Sequence, residues 1–366
     1  TSIRASWSIF GEKPMISLET GPIRFLNGVN VASFSAYTQP LKEFSRNKIQ
    51  ISALANHLIQ SRVGGPPTAL PDESMIVLSI DQGYLVQEAI HARLKNHGFG
   101  ELVGHKIGCT TKVMQDFLSI SHPCSGEVFE TKVFPNQTTL RLSDFQKIGV
   151  ECEIAVRLSK NFPEQETPYD IEMVQDGVGA LMPAIELVED RYIDYPNFPT
   201  PILIADDFFN TGVVLGEELF NWKSIQLCEI KGWMQIDSKE VEFGTGADIM
   251  GNPLNALVWL ANHYVRLQKP LKAGEFVMLG SVVQTVVNYP ENSVVVKAHQ
   301  PGGSNSFAET PDGQYRTTIH PMFENSLLLL DLTFLFGGNN NSSISGFKFM
   351  QSEFSSMSNA SNLPNN

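Results

Sequence analysis

The sequence predicts an α+β protein: a helical start, then a closed or rolled β structure. Two observations predict it. Apolar residues recur at helical spacing before residue 100, and short β-rich runs with few helices between them fill 101–300. A third, the rarity of strand–helix–strand alternation, argues against a doubly wound sheet. The chain has 366 residues, 42% hydrophobic and 18% charged, enough to bury a full core.

Residues 1–48 have weak periodicity and read as an extension. A helical part follows over 49–100. From Lys48 to Arg62, Ile51, Leu54, Ala55, Leu58 and Ile59 mark one helix, stopped by Gly64-Gly65-Pro66-Pro67. A second helix from Asp81 to Asn96 turns Leu85, Ala89, Ile90 and Leu94 inward.

A β domain is expected over 101–300. Its strands are read at 101–108, 127–134, 146–158, 180–190, 211–216, 225–236, 239–243, 275–279 and 293–298. Thr111 is placed to cap a helix at Lys112 to Leu118. Leu254, Leu257, Val258, Leu260, Ala261 and Tyr264 form the stripe of a helix from Pro253 to Leu267. Residues 301–366 read as a divergent, largely disordered tail, rich in Asn, Ser and Gly after Gly337.

A net charge of −13 argues against a nucleic-acid partner and against anionic membrane surfaces. The four cysteines have no paired spacing and read as reduced thiols of a cytoplasmic protein. No signal-peptide pattern is read at the N-terminus, and no apolar run is long enough to span a bilayer.

The most informative residues are Glu151 and Glu153, in Gly149-Val150-Glu151-Cys152-Glu153-Ile154-Ala155-Val156. The flanks are apolar and β-branched, so the run reads as a strand with both carboxylates on one face. A half-exposed strand alternates in the same way. Glu186 is again a lone acid in an apolar run, Leu181-Met182-Pro183-Ala184-Ile185-Glu186-Leu187-Val188. Three carboxylates without a Cys/His cluster suit a hard cation, Mg²⁺ or Mn²⁺.

Lys106, between Gly104 and Gly108, is either a pocket lysine or an exposed turn lysine. Gly280-Ser281 at a strand end is either a ligand contact or a turn. The glycine-rich loop Gly244 to Pro253 carries neither a phosphate-loop nor a dinucleotide pattern, and Asp248 and Asn252 suit turn and capping roles. Of the eight histidines, His91, His97 and His263 read as surface residues. His105 and His122 lie nearer the candidate site without an obvious carboxylate partner.

From residue 50 to about 300 the chain resembles the 2-keto-4-pentenoate hydratase and 4-oxalocrotonate decarboxylase family, in the fumarylacetoacetate hydrolase superfamily. Gly-His-Lys-Ile-Gly-Cys-Thr at 104–110, Val-Glu-Cys-Glu-Ile-Ala at 150–155 and Pro-Ala-Ile-Glu-Leu-Val at 183–188 carry the resemblance. Ile204-Ala205-Asp206, Gly251 to Ala256, Trp259 to Asn262, Pro270 to Glu275 and Leu279-Gly280-Ser281 match in the same order.

The resemblance implies a mixed β-roll core of the fumarylacetoacetase C-terminal type. It implies Mg²⁺ or Mn²⁺ on Glu151, Glu153 and Glu186, Lys106 as the catalytic pocket lysine, and substrate contacts at Gly108, Asp206, Gly280 and Ser281. The expected partner is a 2-oxo or 2-hydroxydienoic acid from aromatic-compound degradation, and a homo-oligomer is expected. A 2-oxo acid can chelate one cation, which then stabilises enolate charge. Hydration of a 2-hydroxy-2,4-dienoate is the leading activity. Decarboxylation of 4-oxalocrotonate, acylpyruvate hydrolysis and a decayed binding protein are the alternatives.

Three places depart from the family pattern. Cys124 stands where an acid is expected. Asp207-Phe208-Phe209-Asn210 replaces smaller residues and would reshape the pocket. The closing strand is not recognisable after Ala298, unless Ser326 to Phe336 replaces it.

Overall fold

A computed structural model describes residues 41–75, 79–136, 138–236, 239–282, 286–287, 315–323, 332–336 and 348–349. The chain divides into two units, Thr1–Ser45 and Arg46–Asn366, and every described strand belongs to the second.

Helix α1 (Leu41–Arg62) starts upstream of the expected Lys48, inside the segment read as an extension. Helix α2 (Ile80–Asn96) starts one residue early, where Ser79 and Gln82 form a capping box that satisfies two orphan backbone N–H groups. Its inner face differs from expectation. Leu85 is 50% exposed, whereas Tyr84, Val86, Ile90, His91 and Leu94 are buried. The reason is a close crossing. A Cβ on Gly83 would lie 2.6 Å from Pro201 O, so the face bearing Gly83 turns toward the short helix Thr200–Ala205.

The strands are β1 (Leu102–Gly108), β2 (Cys124–Phe129), β3 (Val133–Pro135), β4 (Thr138–Arg141), β5 (Ile148–Leu158), β6 (Val178–Glu189) and β7 (Asn210–Leu215). They continue as β8 (Lys231–Ile236), β9 (Lys239–Thr245), β10 (Phe276–Ser281), β11 (Val286–Val287), β12 (Tyr315–Phe323), β13 (Leu332–Phe336) and β14 (Lys348–Phe349). Among the described residues one mixed sheet runs β2-β1-β10-β5-β6-β7-β3, with β11 pairing β5 and β14. The pairs β1/β10 and β3/β7 are parallel, and β5/β6 is a long antiparallel pair. A second sheet runs β4-β13-β12-β8-β9. The strand expected at 293–298 lies outside the described residues. Strands β12, β13 and β14 stand in the region read as a disordered tail, and β13 falls within Ser326 to Phe336, beside β4. The rest of that region lies outside the described residues.

Strand β5 decides where the site can be. Val150, Cys152, Ile154 and Val156 face a large core, against Leu254, Leu257, Leu260 and Ala261 of the helix Pro253–Arg266. Pro253 at its first turn and Asn252 as its cap start that helix; Asn252 Oδ1 accepts from Leu254 N at 3.0 Å. The opposite face of β5 is not solvated either. Ala155 there packs with Met182, Ala184, Val213, Phe276 and Met278. Both faces of the strand are covered, so Glu151 and Glu153 emerge inside the protein.

Candidate metal centre

Glu151 and Glu186 are directly opposite in the β5/β6 register, and Glu153 is two residues along on the same face. Carboxylate oxygens of the three lie within 4.8 Å of one another. Glu153 is 1% exposed, Glu186 0%, and Glu151 half-buried. The half-exposed-strand alternative therefore fails.

One oxygen of each buried acid is held. Glu153 Oε2 accepts from Gly280 N at 3.1 Å. Glu186 Oε1 accepts from Asn210 Nδ2 at 2.9 Å and sits 3.1 Å from Lys106 Nζ. The other oxygens, Glu153 Oε1 and Glu186 Oε2, are buried with no hydrogen-bond partner among the described residues. Buried orphan acceptors are costly. Burial, Glu186 and Glu151 push the Glu153 carboxyl well above the usual range. An all-oxygen donor set with unsatisfied, mutually repelling acids fits a divalent hard cation.

Lys106 is buried, 3.1 Å from Glu186 Oε1, so it is not an exposed turn lysine. Burial alone would lower its ammonium, but Glu186, Glu151 and Glu153 outweigh that and hold it above the ordinary value. Its Nζ donates to Phe208 O at 3.3 Å and lies 5.7 Å from the Phe208 ring centroid. A Cβ on Gly108 would meet Lys106 Nζ at 3.2 Å, so glycine there keeps the ammonium uncrowded. Gly280, at φ +126, packs where a Cβ would lie 2.7 Å from Thr110 Oγ1. Its backbone N–H thereby reaches Glu153. Ser281 Oγ donates to Cys152 O at 3.1 Å, tying β10 to β5 beside the site.

Asp206, expected as a substrate contact, is engaged elsewhere. Its Oδ2 accepts from Arg191 Nη2 at 2.8 Å and from Tyr192 Oη at 2.9 Å. Its role is to anchor Arg191, which in turn donates to the carbonyls of Phe209 and Asn210 at 3.4 and 3.2 Å. Asp207 is also buried in a network. Burial would raise its carboxyl, but His91 and Arg62 hold it well below the carboxylate range. His91 Nε2 lies 2.8 Å from Asp207 Oδ1, and Arg62 Nη1 donates to Asp207 Oδ2 at 2.6 Å.

The surface reading of His91 and His263 is therefore wrong: both are buried, His91 on Asp207 and His263 stacked on Trp259 at 4.8 Å. His97 is exposed as expected. His105 does have a carboxylate, Glu275 Oε2 at 3.0 Å, which is remote in sequence. Cys124 is fully buried in the apolar cluster that also holds Cys109 and Phe208. The hydrogen bond to Cys124, then burial, pushes the Cys109 thiol up. The Gly244–Pro253 loop is structural: a Cβ on Gly246 would lie 1.8 Å from Leu227 O, and Asp248 Oδ2 accepts from Thr245 N at 2.7 Å.

Sequence reasoning missed Asn210 and Arg191. Asn210 was visible only as the end of an unusually bulky Asp-Phe-Phe-Asn run, and Arg191 carried no signal.

No protein-family model matches the chain. It is 31% identical over 236 residues to a 2-keto-4-pentenoate hydratase of Paraburkholderia xenovorans (strain LB400), covering 64% of this chain and 86% of that relative. It is 27% identical over 264 residues to a 4-oxalocrotonate decarboxylase of Pseudomonas sp., covering 72% and 99%. Among solved structures, 4-oxalocrotonate decarboxylase from Pseudomonas putida G7, complexed with magnesium and adipate, superposes with a TM-score of 0.65 at 20% identity, over 78% of this chain and 98% of that one. The α+β fold with its mixed sheet is thus a known one, and the chain belongs to the family of 2-keto-4-pentenoate hydratases and 4-oxalocrotonate decarboxylases.

Proposed function

We infer that the protein is a divalent-metal-dependent lyase that hydrates 2-hydroxy-2,4-dienoates, in the manner of a 2-oxopent-4-enoate hydratase. The observation that carries this reading is the pair of orphaned oxygens, Glu153 Oε1 and Glu186 Oε2, buried beside Lys106. Glu151, Glu153 and Glu186 would hold Mg²⁺ or Mn²⁺. When bound, that ion supplies Lewis-acid stabilisation to negative charge on a chelated 2-oxo acid.

The chain's own groups supply the rest. Gly280 N–H and Asn210 Nδ2 fix the two buried carboxylates before anything binds. Lys106 Nζ, held charged by the acids, is placed to grip the substrate carboxylate or to give and take a proton at its Nζ. The Phe208 ring and Gly108 shape the space around that nitrogen, one filling it and one leaving it open. Asp206 acts at one remove, through Arg191.

Purified protein with Mg²⁺ should bleach the ultraviolet band of 2-hydroxypenta-2,4-dienoate, with 4-hydroxy-2-oxopentanoate as product. No absorbance change across several such dienoates would sink the hydratase reading. Decarboxylation is the second reading, supported by the match along nearly the whole decarboxylase relative. Carbon dioxide release from 4-oxalocrotonate, without bleaching of the monocarboxylate, would promote it. A homo-oligomer and a cytoplasmic location belong to the same reading, and sedimentation of the full chain tests the former. No described helix is long and apolar enough to cross a membrane.

A further inference from the structure

We propose that Asn210 sets the ion preference of the centre, by confining Glu186 to one-oxygen ligation. The inference rests on the reading of Glu151, Glu153 and Glu186 as metal ligands. Glu186 Oε1 already has two donors, Asn210 Nδ2 at 2.9 Å and Lys106 Nζ at 3.1 Å, while Oε2 has none among the described residues. A carboxylate so occupied offers a cation one oxygen. Mg²⁺ takes near-octahedral, short, one-oxygen carboxylate contacts, whereas Ca²⁺ accepts two-oxygen contacts and higher coordination. Holding Oε1 away therefore favours the smaller ion.

Asn210 is built to do this. It is buried at the start of β7, and its carbonyl accepts from Arg191, itself clamped by Asp206. The three residues before it, Asp207, Phe208 and Phe209, have φ of 53, 50 and 69. Successive left-handed residues are strained for side chains other than glycine. The turn keeps that backbone because Arg191 grips the Phe209 and Asn210 carbonyls, and it delivers the Asn210 amide to Glu186. Outer groups that orient a ligand commonly change metal affinity by about 10–100-fold.

The experiment is calorimetric titration of the full chain with Mg²⁺ and, separately, Ca²⁺. Asn210→Ala and the near-isosteric Asn210→Leu should lower the ratio of Mg²⁺ to Ca²⁺ affinity by about tenfold or more. A merely structural role would lower melting temperature and leave that ratio alone. A ratio within about twofold of the parent in a folded variant overturns this proposal, while metal binding by the parent leaves the function intact. A parent that binds neither ion overturns both. The parent also gives a check that needs no variant. On Mg²⁺ loading, the separation of its carboxylate infrared stretches should widen, as for one-oxygen ligation, and a narrowed two-oxygen component would overturn the proposal.

Discussion

Two buried acid clusters lie close together in this protein and are treated in opposite ways. Around Asp206 and Asp207, every carboxylate meets a cation or strong donor: Arg191 and Tyr192 on one, Arg62 and His91 on the other. Around Glu151, Glu153 and Glu186, three acids share one lysine, and two oxygens are left without partners among the described residues. Asp206 Oδ1 also lacks a hydrogen bond among the described residues, but Arg62 Nη1 stands 3.6 Å from it, so the first cluster carries its counter-charges within the chain and serves as framework. The second has more acid than the chain's own cations offset, which is the feature that supports the proposed metal site.

Substitutions that break the contrast should act through different observables. The largest effect on function is expected for Glu153→Gln, which should cost both metal binding and turnover. It should abolish Mg²⁺-dependent stabilisation, which for the parent amounts to about 2.7 kcal/mol at a hundredfold excess over the dissociation constant. It should also remove turnover while raising the melting temperature of the metal-free protein, because one of three repelling acids is gone. A metal-free variant that melts lower than the parent would show the acids are not in conflict.

Lys106→Met comes next. Turnover should fall by about 10²–10⁴, the range for a positioned acid or base. Mn²⁺ affinity should hold or tighten, since a competing cation is removed; weakened Mn²⁺ binding would contradict the geometry.

Arg191→Met tests the other cluster. It leaves Asp206 in the interior with only the Tyr192 hydroxyl and Arg62 at 3.6 Å, and should cost about 3–5 kcal/mol of stability, read by denaturant unfolding without metal. A loss under about 1 kcal/mol would mean Asp206 finds water or a proton cheaply.

The smallest effect concerns His263, away from both clusters. Burial, then Arg266 and His122, push its imidazole down to about 4, with Asp81 opposing. The unfolded chain then takes up a proton that the folded one refuses. Its contribution is full above pH 6.5 and is lost as pH falls toward 4. His263→Gln should flatten stability across that window by roughly 2–3 kcal/mol. An unchanged slope would place the titrating group elsewhere.

The sequence alone determined much of this protein. Local patterning suffices for Ile148–Leu158 and Pro253–Arg266, because alternation at period two and recurrence at helical spacing are written into neighbouring residues. It also suffices for pairing Glu151 with Glu153, since strand geometry alone puts them on one face. Glu186 stands out in the sequence as a lone acid in an apolar run, but the register that sets it opposite Glu151 is a property of the folded sheet. Tertiary structure decided everything that depends on distant partners. It covered the second face of β5, turned Leu85 outward, buried His91 and His263, diverted Asp206 to Arg191 and brought Asn210 to Glu186. Solvation and hydrogen bonding are settled by groups far apart along the chain, and no local spacing encodes which of two acids will find a cation and which will be left needing one.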